Sequence, residues 1–125
     1  MSEPLRGVIV SHAGVAQALI AAVDSITGVG DAFVAVSNDG CDRDALFRTL
    51  AAAVGERPTV LFVDLPGGSC LTSAVAFARG RPDLAVVTGV NLAMLLDFVF
   101  HRDLAPAVAA ERAAAAGNRA IRTPA

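Results

Sequence analysis

Short apolar runs alternate with longer amphipathic segments along almost the whole chain, and that alternation limits the folds open to it. Arg6–Ser11 (RGVIVS), Ala32–Val36 (AFVAV), Thr59–Val63 (TVLFV) and Leu84–Thr88 (LAVVT) are rich in β-branched residues and have the length of buried strands. Between them lie segments with helical spacing: Val15–Ile26, Asp42–Val54, Ser69–Arg79, Leu92–Phe100 and Leu104–Ala116. Asp42 is a natural N-cap for the second of these, and Gly117 a natural C-cap for the last. The tail Arg119–Thr123 (RAIRT) reads as one short final strand. Strands alternating with helices imply βαβ units, hence an α/β fold whose parallel sheet is covered on both faces.

Composition agrees with that fold and narrows function. The 125 residues suit one domain, taken as 1–125, and the 54% hydrophobic content is ample for its core. The net charge is −2, and no cluster of Lys and Arg is dense enough for a nucleic-acid footprint or a membrane-surface patch. The longest apolar runs, such as Thr59–Val63 and Leu92–Leu96, are far too short to span a bilayer. Met1-Ser2-Glu3-Pro4 lacks the basic and apolar regions of a signal peptide, so a cytoplasmic location is expected. Cys41 and Cys70 have no CxxC spacing, which points to two reduced thiols and no metal site.

In a doubly wound sheet, ligands bind beyond the carboxyl ends of the strands, where the strand order reverses. In the flavodoxin-like order, 2-1-3-4 for four strands, that point lies between strands one and three. Strand one is followed by Ser11-His12-Ala13-Gly14, strand three by Asp64-Leu65-Pro66-Gly67-Gly68-Ser69, and strand four by Gly89-Val90-Asn91. All three loops should emerge on one edge. A neutral imidazole is a nucleophile near neutral pH. A carboxylate on one ring nitrogen fixes its tautomer, frees the other nitrogen to attack and stabilises developing positive charge. Asp64 is placed to do this for His12. Glycines permit close backbone approach, and a helix starting near Ser69 would aim free N–H groups and its positive dipole end at the site. Such parts suit phosphoryl transfer, which needs mostly positioning and electrostatic stabilisation.

Each feature alone has a plainer reading. His12 could be a satisfied polar residue, Asp64 a cap for the third helix, Gly67-Gly68 a tight turn and Asn91 an N-cap. Their coincidence at three neighbouring strand ends favours the functional reading.

Val8-Ile9-Val10-Ser11-His12, Asp64-Leu65-Pro66-Gly67-Gly68-Ser69 and Gly89-Val90-Asn91-Leu92-Ala93-Met94-Leu95 resemble the enzyme IIA domain of the mannose-family sugar phosphotransferase system. The likeness runs in order through nearly the whole chain. It implies that His12 accepts a phosphoryl group from phospho-HPr and passes it to an enzyme IIB partner, with Asp64 orienting the ring. It also implies that Ser11, Gly67, Gly68 and Ser69 contact the phosphoryl group, with Asn91 in support and no cofactor. The implied fold is a four-stranded parallel sheet in a homodimer, with a fifth, antiparallel strand exchanged between subunits; Arg119–Thr123 would be that strand. The membrane would be met only through IIC and IID partners, and no nucleic acid is involved. Three positions depart from the family pattern. Cys70 and Ala93 stand where proline is usual, and Leu65 where some members have a threonine. Cys70, beside a helix start, could have a lowered pKa and a reactive role, although a small buried residue fits better.

Other readings compete. A regulatory phosphocarrier would use the same chemistry to change a docking surface rather than to drive transport. The phosphocarrier subunit serving dihydroxyacetone kinase shares the His and Gly-rich layout. A non-catalytic nucleotide-binding or receiver-like α/β module lacks its motifs here: neither GxGxxG nor GxxxxGK[ST] occurs, nor an acidic cluster after strand one. A hydrolase lacks the GxSxG elbow. His101-Arg102-Asp103 reads as a solvated loop.

Overall fold

The structure is a computed structural model that describes residues 3–124; Met1 and Ser2 of the leading segment, and Ala125, lie outside it. Four strands, β1 (Arg6–Ser11), β2 (Phe33–Ser37), β3 (Thr59–Val63) and β4 (Leu84–Thr88), form one parallel sheet in the order β2-β1-β3-β4. Five helices connect and follow them: α1 (Val15–Thr27), α2 (Arg43–Val54), α3 (Ser69–Ala78), α4 (Leu92–Val99) and α5 (Pro106–Arg119). The expected α/β class, strand order and two-faced covering are all observed.

Side chains alternate across each central strand, so one strand feeds two cores. Ile9, Val60 and Phe62 pack with Val23 of α1, Leu95 and Phe98 of α4 and Ala109 and Ala113 of α5. Val8, Val10, Leu61 and Val63 pack on the other face with Leu46 and Leu50 of α2 and Ala74 and Phe77 of α3. Every residue of β3 is buried, which is why its sequence is a continuous apolar run rather than an alternating one. Burying each Val, Leu or Ile contributes roughly 1.5–3 kcal/mol. Phe33, Phe62 and Phe98 interlock at ring-centroid distances of 5.2–6.3 Å and fill the space that a chain without Trp or Tyr must fill with phenyl rings.

Several boundaries differ from expectation. A short 3₁₀ turn, Gly30–Ala32, takes Ala32 out of the second strand. The last helix begins at Pro106 rather than Leu104, because a residue before proline is driven to extended backbone; Ala105 has φ −62° and ψ 148°. Gly117 is not a C-cap. It is buried inside α5, where a Cβ would collide with the Met94 side chain, so the glycine lets α5 approach α4 closely. The helix continues to Arg119, and residues 120–124 have no regular structure in the single chain. The expected strand at Arg119–Thr123 is thus not formed within one chain, where Arg119 ends α5 and the residues after it are irregular. His101-Arg102-Asp103 is also more tied down than a solvated loop. His101 Nδ1 lies 2.7 Å from the Asp97 carbonyl, and Arg102 Nε donates to the Leu5 carbonyl at 2.8 Å.

Candidate functional site

The register of the sheet brings His12 and Asp64 together. β1 and β3 are parallel and paired Val10 to Val63, so the chain leaves both strands side by side. The Asp64 N–H donates to the Val10 carbonyl at 3.2 Å and carries the pairing one residue further. At that point Asp64 Oδ2 accepts two hydrogen bonds from one residue: the His12 backbone N–H at 2.9 Å and the ring Nδ1 at 2.8 Å. An ionised carboxylate can only accept, so Nδ1 carries the proton and Nε2 keeps its lone pair. The His12 side chain is 44% exposed and the Asp64 side chain 12%. The free Nε2 thus belongs to an accessible ring, and the carboxylate bonded to that ring is largely buried.

Burial alone would raise the Asp64 pKa. The His12 N–H, the His12 ring and the Leu65 amide outweigh it, and the carboxyl sits below its ordinary 3.8. It is ionised throughout the neutral range. Among the described residues, no donor makes a hydrogen bond with its buried Oδ1, the Leu65 amide included.

The loop carrying His12 is held from below by Ser11. That residue is fully buried. Its Oγ accepts the Ala16 N–H at 2.9 Å and lies 3.2 Å from the His12 carbonyl as donor. Ser11, expected among the phosphoryl contacts, is turned inward and fastens the first turn of α1 to the loop. Ala13, with φ 48°, makes the sharp turn between them.

Gly67, Gly68 and Ser69 are exposed where α3 begins. Gly68 is the N-cap with φ 89° and ψ −174°, backbone that disfavours any side chain, and no side chain caps the helix. The plainer reading of Asp64 as that cap is excluded, because its carboxylate is turned to His12. The first amides of α3 are left for another acceptor. Asn91, expected in support, is placed differently. Its Oδ1 accepts the Met94 N–H at 3.0 Å and its Nδ2 donates to the Gly117 carbonyl at 3.2 Å, so it caps α4 and ties it to α5.

Residues 7–116 match the EIIA-man family, described as the PTS system fructose IIA component. The chain belongs to this family. It is a IIA component of a sugar phosphotransferase system, and a role in phosphoryl transfer goes with that membership. No curated protein matches its sequence. Among solved structures, it is similar to the phosphotransferase system component EIIA from Streptococcus agalactiae, with a TM-score of 0.87 at 19% identity over 95% of this chain and 96% of that one. It is also similar to the mannose/sorbose-specific IIA subunit from Enterococcus faecalis, with a TM-score of 0.83 at 25% identity over 98% and 96% of the two chains. The IIA protein associated with the fucose utilization operon from Streptococcus pneumoniae superposes with a TM-score of 0.77 at 20% identity over 98% and 96%.

Both helices form without the prolines that the resemblance led us to expect. α3 starts at Ser69 with Cys70 next, and α4 starts at Leu92 with Ala93 next, the latter fixed by the Asn91 cap. Leu65 is exposed beside the site and presents no polar atom on its side chain. Cys70 is the residue whose position the sequence did not reveal. It is fully buried, and its Sγ lies within 4.8 Å of donor atoms of both His12 and Asp64. Burial, and then the Asp64 charge, pushes its thiol pKa up, opposite to the lowering expected at a helix start. No helix among the described residues is long and apolar enough to cross a membrane.

Proposed function

We propose that this chain is a phosphocarrier in which His12 accepts a phosphoryl group from phospho-HPr and passes it to an enzyme IIB partner during sugar uptake. The observation that carries the reading is the 2.8 Å contact between His12 Nδ1 and Asp64 Oδ2 on a half-exposed ring. In the transfer, the Nε2 lone pair attacks phosphorus. The bond from phosphorus to Nε2 forms as the bond to the donor's histidine breaks. Positive charge developing on the His12 ring is balanced by the Asp64 carboxylate, which is already in place and ionised. The exposed start of α3, with Gly67, Gly68 and Ser69, offers amides and a hydroxyl to the phosphoryl oxygens. Ser11 and Asn91 act by position, holding the His12 loop and the start of α4.

The family also supports a cytoplasmic homodimer of one 1–125 domain, with the membrane met only through IIC and IID partners. The outer edge of β4, paired only with β3 among the described residues, suits an added strand.

The test is incubation with phosphoenolpyruvate, enzyme I and HPr. One phosphoryl group should be added, labile to acid and stable to alkali, as a phosphohistidine is. His12→Ala should abolish it and His101→Ala should not. Labelling that survives in His12→Ala would reject the assignment.

A further inference from the structure

We propose that His12, Asp64 and Cys70 form a binding site for one zinc-class divalent ion, and that the ion competes with the phosphoryl group for His12. The three side chains each offer a ligand atom, and these atoms lie within 4.8 Å of one another. Imidazole nitrogen, carboxylate oxygen and thiolate sulfur are the donors zinc takes. Bonds of about 2.0–2.3 Å place neighbouring corners of a zinc tetrahedron about 3.5 Å apart. The cluster is therefore at most about 1.3 Å too wide, a distance the exposed His12 ring can close once the ion replaces its bond to Asp64.

A second observation points the same way. Asp64 Oδ1 is buried and, among the described residues, has no hydrogen-bond partner. A buried anionic oxygen without a donor is the kind of group a cation satisfies. Cys70 is fully buried and the His12 ring exposed, so the ion would enter from the His12 side. Three protein ligands would leave its fourth position open to water. As the metal–sulfur and metal–nitrogen bonds form, the thiol proton and the Nδ1 proton both pass to solvent. An ion on the Asp64 side of the imidazole withdraws electron density from the ring and takes the carboxylate that balances its charge, so an occupied site opposes attack by Nε2.

The metal-free full chain is titrated with Zn²⁺ against a chromophoric chelator, and separately with Co²⁺. One ion per chain should bind, and Co²⁺ should give a near-ultraviolet thiolate charge-transfer band. Cys70→Ser should lose the band and weaken Zn²⁺ binding by about 100-fold or more, beyond the 10–100-fold typical of an outer partner of a metal ligand. Cys41→Ser and His101→Ala should bind as the parent does. If Cys70→Ser is unfolded by circular dichroism, Cys70→Ala replaces it. An absent band, or Zn²⁺ binding unchanged on loss of the thiol, overturns the site. The competition is read as the ratio of phosphorylation rates with and without Zn²⁺. That ratio should fall well below one in the parent and return to about one in the Cys70 variant; a parent ratio of one overturns the competition. This arm rests on the phosphocarrier reading, and the binding arms do not. A chain that takes up zinc but never a phosphoryl group would sink the carrier and spare the site.

Discussion

One oxygen of Asp64 holds two parts of His12: Oδ2 accepts the backbone N–H at 2.9 Å and the ring Nδ1–H at 2.8 Å. The backbone bond fixes where the ring starts and the ring bond fixes where it ends. Tautomer, rotamer and loop position are thereby coupled to a single carboxylate.

Replacing that carboxylate should therefore slow transfer without removing the acceptor. Asp64→Ala loses both bonds and the balancing charge, and the single-turnover rate from phospho-HPr should fall roughly 10²–10⁴-fold. Asp64→Asn keeps an acceptor but not the charge, and should lie between. Stopped-flow transfer measures both. Rates equal to the parent's would remove Asp64 from the mechanism.

The same pair predicts how stability follows pH in metal-free protein. Unfolded, the Asp64 carboxyl titrates near its ordinary 3.8; folded, it titrates lower. Between those values the unfolded chain binds the extra proton, so acid favours unfolding. The Asp64 contribution is fully present above 3.8 and is lost as pH falls through the lower, folded value. The Tm advantage of the parent over Asp64→Asn should shrink as pH falls below about 4. Thermal melts in a chelator from about pH 5 to 2.5 check it. An advantage that grows over that range would contradict the direction of the shift.

Gly117 supports a packing prediction of the opposite sign to helix propensity. In an open helix, Gly→Ala stabilises by about 1 kcal/mol. At Gly117 the new methyl would strike Met94, and overpacking of that kind costs about 1–3 kcal/mol. Gly117→Ala should lower Tm by several degrees. Combined with Met94→Ala, the two changes should couple by about 0.5–3 kcal/mol, because the shorter side chain makes room for the methyl. Additive effects would show that the two helices do not meet there as described.

What the sequence revealed followed from local chemistry. β3 was legible because both faces of it are buried, leaving an unbroken apolar run between Pro58 and Asp64. The His12–Asp64 pairing was legible through topology: two parallel strands in register must end side by side, although the residues are 52 apart. Gly117 misled because a glycine after an apolar stretch usually marks a helix end, and only the neighbour across the gap, Met94, shows why it lies within the helix. Cys70 carried no spacing signal. Its place within 4.8 Å of the His12 and Asp64 donor atoms is set by how the start of α3 seats against β1 and β3, a tertiary fact with no linear trace. Ser11 looked like a ligand contact because of its position; its hydroxyl is taken by Ala16, which the linear order does not disclose.

The tail supplies the last prediction. β4 is an edge strand, and an unpaired edge accepts a strand from another chain unless something covers it. Residues 120–124 leave α5 without regular structure, with Ile121 74% exposed. An apolar residue on a free segment near an open edge suits reciprocal exchange, in which each copy's tail lies along its partner's β4. The full chain should sediment as a dimer. Deleting residues 120–125 starts beyond the last helical residue, so the sheet and both cores should survive, with an unchanged far-ultraviolet spectrum. Losing about four main-chain hydrogen bonds per edge, each contributing about 0.5–1.5 kcal/mol, should weaken association by roughly 10²-fold or more. A full-length chain that stays monomeric at all accessible concentrations, or a truncated one that dimerises as tightly, would rule the exchange out.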